Sequence, residues 1–187
     1  MARLHYVKAA RKDYPKDHIK KGESYWWWAF RYGGKHRSPI RPPRSALTQS
    51  EFLARIWDIE DGALQMIEEI EDIDNVLEEL QEIMDEQEEK FDNLPEGFQY
   101  SSTGEAIEER RDCVEEMYNE IDNLKDDLES KLEEIEEKEK ELNEASANIK
   151  DHEDQEIVDD LKFELDDLQQ EKEDKLNEIK SVCYQGN

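Results

Sequence analysis

A chain of 187 residues with 52 Asp/Glu against 25 Lys/Arg carries a formal net charge of −27, and its mean hydropathy of −1.09 is that of a disordered chain unless the apolar residues are regularly spaced, which they are. The absence of any apolar run near the roughly 18 residues of a transmembrane helix, and of a signal-peptide core, predicts a soluble cytoplasmic protein. Charge is segregated: residues 1–50 hold 12 Lys/Arg and 3 Asp/Glu, whereas residues 51–187 hold 13 and 49, which divides the chain into a basic head (1–47) and an acidic body (48–187).

In the head, Arg3 to Lys8 alternates as a short strand, and the basic stretch that follows, through Lys21 and broken by Pro15, reads as loop. Tyr25 to Tyr32 is rich in strand formers, Gly33-Gly34 offers a two-residue primed turn, and Lys35 to Ile40 returns, which together predict a β-hairpin. With Tyr32 opposite Lys35, one face presents Trp26, Trp28, Phe30, Tyr32, Lys35 and Arg37, and the other Tyr25, Trp27, Arg31, His36 and Ile40. Rings beside cations suit nucleic acid, because cations neutralise phosphates while aromatic faces stack on bases. Candidate contacts are Trp26, Trp28, Phe30, Arg31, Lys35, His36 and Arg37. The competing reading makes the rings the small core that a short module needs. The stretch from Gly22 to Arg37 resembles the β-ribbon arm-binding domains of phage tyrosine recombinases, in which an aromatic strand meets a Gly-Lys turn and a basic return strand, and it resembles short proteins of tailed phages. That resemblance implies a ribbon and a phage-encoded protein of the host-cell cytoplasm, and it stops short of the enzyme, since nothing like a recombinase catalytic domain follows.

Arg41-Pro42-Pro43-Arg44 stiffens the exit from the head. Beyond it, Ile56, Ile59, Ala63, Met66, Ile70, Ile73, Leu77, Leu80, Met84, Gln87, Phe91 and Leu94 recur at spacings of three and four, the seam of a coiled coil. With Thr48 and Glu51 as a capping box, they predict one helix over 48–94. Pro95 to Gly104 is a loop closed by a second capping box, Ser102 with Glu105, and a second helix is predicted over 103–149. Pairing the two antiparallel requires residue numbers of constant sum, and 201 sets Leu77 against Leu124 and Ile73 against Leu128, with Ile70/Lys131 and Ala63/Lys138 as weak layers. After a break between Ala147 and Gln155, a shorter third helix (155–183) carries a thinner seam interrupted by Lys172 and Lys175, and the tail from Tyr184 is expected to fray. The predicted fold is therefore mainly α: a long antiparallel coiled-coil hairpin with a third helix, plus a small N-terminal β-hairpin module.

Neither a P-loop, a dinucleotide fingerprint nor a nucleophile motif is present, and the carboxylate pairs on solvated helix faces lack a pocket to tune them. No catalytic residue, metal site or cofactor is predicted. His5, His18 and His36 lie without a ligand signature between them, and Cys113 and Cys183 are isolated thiols that suit a reducing compartment. Two functional readings stay open. In the first, a non-enzymatic interaction protein uses acidic clusters such as Glu68, Glu69, Glu71 and Asp72 to occupy the basic surface of a host nucleic-acid-binding protein and inhibit it, by nucleic-acid mimicry. In the second, residues 1–47 bind DNA or RNA and the coiled coil is a spacer or a homodimerisation element.

Overall fold

The computed structural model describes residues 1–147 and 152–186, and the chain forms two compact units, Met1–Ala63 and Leu64–Asn187. The first unit contains an antiparallel sheet of β1 (His5–Val7), β2 (Tyr25–Ala29) and β3 (Lys35–Ser38), in that spatial order. Aromatic β2 takes the centre, where a strand is covered on both sides: Tyr25 and Trp28 point to opposite faces, and both are buried.

The predicted hairpin is present with a different register. Trp26 pairs with Ser38, Trp27 with Arg37, Trp28 with His36 and Ala29 with Lys35, so residues 30–34 connect the strands in place of a two-residue turn. A primed turn needs left-handed backbone, which neither Gly33 nor Gly34 adopts. The chain reverses instead at residues 30–33, where the Gly33 N–H donates to the Phe30 carbonyl at 3.2 Å. A shift by an odd number of residues exchanges the faces of the return strand. His36 thereby joins Trp26 and Trp28, whereas Lys35 and Arg37 join Tyr25 and Trp27.

Residues 8–24, predicted to be loop, fold compactly beside Tyr25. Ala10 and Ile19 are buried with Tyr25, and Val7, Tyr14 and Trp27 pack against them. Tyr14 and Ile19 bridge through two backbone hydrogen bonds, and the Ala10 N–H donates to the Glu23 carbonyl at 2.7 Å.

Helix α1 (Glu51–Asp58) begins two residues later than a Thr48 cap predicts. Ser50 is the N-cap, its hydroxyl accepting the Leu53 N–H at 3.3 Å, and Thr48 instead accepts the Ser50 N–H. The single helix expected over 48–94 is interrupted: the backbone passes through a π turn (Ile59–Ala63) and a 3-10 turn (Leu64–Met66) before α2 (Ile70–Asp92). Gly62 sits inside the break and costs about 1 kcal/mol relative to Ala in a helix. Arg44 holds the chain at the same place, its guanidinium binding Glu60 and Asp61. Met66, a predicted seam residue, is accordingly 74% exposed.

The second unit is built on α4 (Ser102–Ala147), which follows α2 through the short α3 (Glu96–Gln99). The cap of α4 is Ser101, one residue before the predicted Ser102, its hydroxyl accepting the Thr103 N–H at 3.2 Å. Gly104 is required at this tip, since a Cβ there would overlap the Gln99 carbonyl. Helix α2 runs antiparallel to the first half of α4, burying Ile73, Leu77 and Leu80 on one side and Met117, Ile121 and Leu124 on the other. The 2.6 Å pair Asp74–Lys125, whose numbers sum to 199, agrees with the predicted 201 register to within a turn.

The second half of α4 has a different partner. Because α2 starts at Ile70, it ends at the Lys131 layer and no α2 residue can face Lys138 as the full-length hairpin predicted; α5 (His152–Ser181) packs along this half of α4 instead, antiparallel. Lys131 pairs with Glu171, Lys138 with Glu164 and Asp127 with Lys175, each at 2.9–3.0 Å and each with residue numbers summing to 302. The weak layers of the sequence thus mark where α4 changes partners. Helix α5 spans 30 residues, fewer than the 46 of α4 but more than the 23 of the shortened α2. The predicted break around 147–155 falls largely on residues 148–151, outside the described residues.

Candidate functional sites

Most of the head residues proposed for nucleic-acid contact are engaged within the head. Trp28 is buried and stacks on His36 with centroids 5.4 Å apart, and Phe30 meets the same imidazole edge-on at 5.6 Å. The Trp28 indole Nε1 is buried and has no hydrogen-bond partner among the described residues. Across the sheet, Trp27 stacks on His5 at 4.2 Å and carries the Lys35 ammonium 3.5 Å from its centroid, a close cation-π contact. Arg37 is half-buried, with its guanidinium 4.3 Å from the Tyr14 centroid and Nη1 3.3 Å from Asp17. Tyr25 stands beside them, its hydroxyl pushed up mainly by burial and then by its hydrogen bond to Tyr14.

Trp26 and Arg31 are freer. Trp26 is half-buried and tilts against exposed Tyr6 at 4.8 Å, and exposed Arg31 lies over exposed Tyr32 at 5.4 Å. The structure therefore brings Trp26, Trp28, Phe30 and His36 together and sets Lys35 and Arg37 on the opposite face, so the predicted composite of rings and cations is not one surface. His5 and His36 likewise occupy opposite faces. The contributions of Tyr6, Tyr14 and Asp17 are not visible in hairpin counting, because they come from β1 and from a loop whose fold depends on tertiary contacts.

In the body, Glu68, Glu69, Glu71 and Asp72 fall at the start of α2 and not along a continuous helix face. Asp72 has a local role: its carboxylate accepts the Glu68 and Glu69 N–H groups, each at 3.0 Å, and these bonds hold its pKa below the usual carboxylate range. Glu68, Glu69 and Glu71 are exposed. With Leu128, Leu132, Lys172 and Leu176 they line a cleft of about 360 Å³ where the three long helices meet. A second groove, about 490 Å³, runs between α4 and α5 and is lined by Glu134, Glu137, Glu141, Glu164, Asp167 and Glu171 around the paired Lys138. The first cleft offers carboxylates above an apolar floor of Leu128, Leu132 and Leu176, an arrangement that attracts cationic side chains and accommodates their aliphatic stems.

Three lysines of the α4–α5 interface are internally neutralised. Lys131 is bound by Glu171 and Glu134, Lys138 by Glu164 and Glu141, Lys175 by Asp127 and Glu178, and these hydrogen bonds push all three pKa values up. The C-terminal segment is docked in place of fraying: Val182 is buried, and the Tyr184 hydroxyl is pushed up to about 12, chiefly by burial and then by the neighbouring Cys113. Cys113 and Cys183 are both free thiols. No helix among the described residues is long and apolar enough to cross a membrane. Comparison with protein-family models, curated proteins and solved structures finds no match to this chain.

Proposed function

We propose that the chain acts by binding and not by catalysis: its acidic body occupies the basic surface of a nucleic-acid-binding protein, in the cytoplasm of a host cell, and inhibits it as a nucleic-acid mimic. The observation that carries this reading is the uneven use of charge in the body. Residues 64–187 hold 45 Asp/Glu against 12 Lys/Arg, and the interface lysines 125, 131, 138 and 175 are already bound to carboxylates of neighbouring helices. The outward faces are left strongly negative. Helix α4 is about 69 Å long at 1.5 Å per residue, so the net −33 of these residues amounts to about one charge per 2.1 Å, near the roughly 1.7 Å of duplex DNA.

The test is capture from a nuclease-treated bacterial lysate by the full chain at two salt concentrations, followed by competition with the purified captured protein. Duplex DNA should displace the chain from that protein. Reversing Glu68 and Glu71 to lysine should abolish capture; Glu69 and Asp72 are left intact because they form the capping box at the start of α2. Capture that survives these reversals together with resistance to DNA competition would overturn the reading.

A further inference from the structure

Residues 8–23 form a basic surface to which none of the hairpin residues belongs. The loop is braced by its own backbone: the Gly22 N–H donates to the Ala10 carbonyl at 2.9 Å, Ala10 and Tyr14 bond to Glu23 and Ile19, and His18 turns the chain in the left-handed conformation at φ 54°. The bracing engages every acidic residue of the first 50. Asp13 accepts the Lys21 N–H at 2.6 Å, Glu23 accepts the Lys20 N–H at 2.7 Å, and Asp17 holds Arg37.

The cations of the loop are not used in this way. Lys8, Arg11, Lys12, Lys16, Lys20 and Lys21 are all exposed. Lys12 lies 5.6 Å from the Tyr14 centroid, and among the described residues no carboxylate pairs with any of the six side chains. Ala10 and Ile19 point inward and Tyr14 is half-buried, so the outer surface offers neither a free ring for base stacking nor a long aliphatic chain for a bilayer. What remains is a rigid array of charge.

We propose that this loop is a phosphate-backbone contact surface for duplex nucleic acid, binding without base readout. Fixed cations with no internal partner can each displace a condensed counterion from a duplex, the step that drives sequence-independent association. The carboxylates that would compete for those cations are tied to backbone donors or to Arg37. The inference is independent of the acidic body's partner. It gives the chain two surfaces of opposite sign, one that replaces nucleic acid on a protein and one that holds nucleic acid itself.

The test uses the full chain and a fluorescent random-sequence DNA duplex, followed by anisotropy between about 50 and 200 mM salt. Replacing Lys8, Arg11 and Lys16 together by glutamine should weaken binding at least tenfold at the lower salt and reduce the salt slope by about three units, close to one for each phosphate no longer neutralised. Circular dichroism verifies that the variant is folded, and a second variant, Lys20→Gln with Lys21→Gln, retains the backbone donors and should weaken binding in the same way. Arg31→Ala with Tyr32→Ala should bind as the parent does. Three outcomes would overturn the proposal: no duplex binding by the parent chain over this salt range, loss of binding only in the Arg31/Tyr32 variant, or tighter association with phosphatidylserine vesicles than with the duplex.

Discussion

The two halves of α4 show two ways of holding a helix. Toward α2 the seam is closed and, apart from the buried Gln87, apolar: Ile73, Leu80 and Ile121 are 0% exposed, and Met117 is 2%. Toward α5 the interface mixes buried Ile135, Val158 and Ile179 and half-buried leucines such as Leu161, Leu165 and Leu168 with the lysine layers at 131, 138 and 175, each lysine bridging a carboxylate of its own helix and one of its neighbour. Apolar burial supplies free energy without choosing a register, whereas a charged layer favours the registers that set it against an opposite charge and opposes those that do not. The first half of α4 is therefore the stabilising half, and the second is the specifying half.

The largest expected effect tests that division directly. Leu80→Ala should destabilise the chain by about 2–5 kcal/mol, the range for a fully buried leucine whose cavity does not collapse, and Ile121→Ala should do likewise. Leu165→Ala, at a half-exposed site in α5, should cost less than half as much. Urea denaturation followed by circular dichroism measures all three, and equal losses would remove the distinction.

The next effect is titration of the lysine layers. Hydrogen bonds to Glu171, Glu164 and Asp127 raise the folded pKa values of Lys131, Lys138 and Lys175. Burial first, and then Cys113, raises that of Tyr184 to about 12. A group whose pKa is higher in the folded state binds its proton more tightly there, so its contribution is complete below the unfolded value, about 10 for Tyr and 10.4 for Lys, and is lost as pH rises through the folded one. Distances between spin labels on α4 and α5 should broaden as pH rises above about 10, while a label pair on α2 and α4 keeps its distance. Simultaneous broadening of both pairs would mean that the two seams are not independent.

How much of this was legible in the sequence follows from the same physics. The 3.5-residue spacing located the helices, and the constant-sum pairing placed α2 on α4, because apolar seams leave a periodic signature. The break at residues 59–69 was hidden because Ile59, Ala63 and Met66 continue the heptads in type. The legible warning was Gly62 beside two acids that Arg44 reaches from outside the helix. Lys131 and Lys138 disturbed the seam visibly, and only a third helix explains them. In the head, the aromatic strand was readable but its face assignment was not, since Gly33-Gly34 suits a primed turn in composition and the chain turns earlier, at Phe30. A three-residue error of register was enough to separate Lys35 and Arg37 from Trp26 and Trp28.

A smaller effect belongs to the start of α2. The backbone bonds from Glu68 and Glu69 lower the Asp72 pKa, so its contribution is present above the unfolded carboxylate value near 3.9 and is lost as pH falls through the folded one. Asp72→Asn should lower the melting temperature at pH 7 and narrow its difference from the parent below about pH 3. A constant difference across that range would mean that the capping carboxylate acts through shape and not through charge.

The smallest expected effect is the most discriminating. Lys138 is half-exposed at a seam position, between Glu141 on its own helix at 3.0 Å and Glu164 across the interface at 2.9 Å. An exposed pair of this kind contributes little net stability, since solvent screens it and two long side chains must be ordered to form it. Lys138→Met keeps the volume and adds apolar contact with the α5 leucines, so the melting temperature should stay level or rise slightly. What the substitution removes is the penalty on misregistration. Slid by one heptad in the direction that sets it against Ile157, Lys138 would lose its carboxylate across the interface, whereas the opposite slide would offer it Glu171; methionine suffers no such loss in the first direction. Distances between spin labels on α4 and α5 should accordingly broaden in Lys138→Met, and further in a triple variant that also carries Lys131→Met and Lys175→Met, while the α2–α4 distance stays sharp. A lower melting temperature with unchanged distance distributions would assign stability, and not register, to the lysine layers.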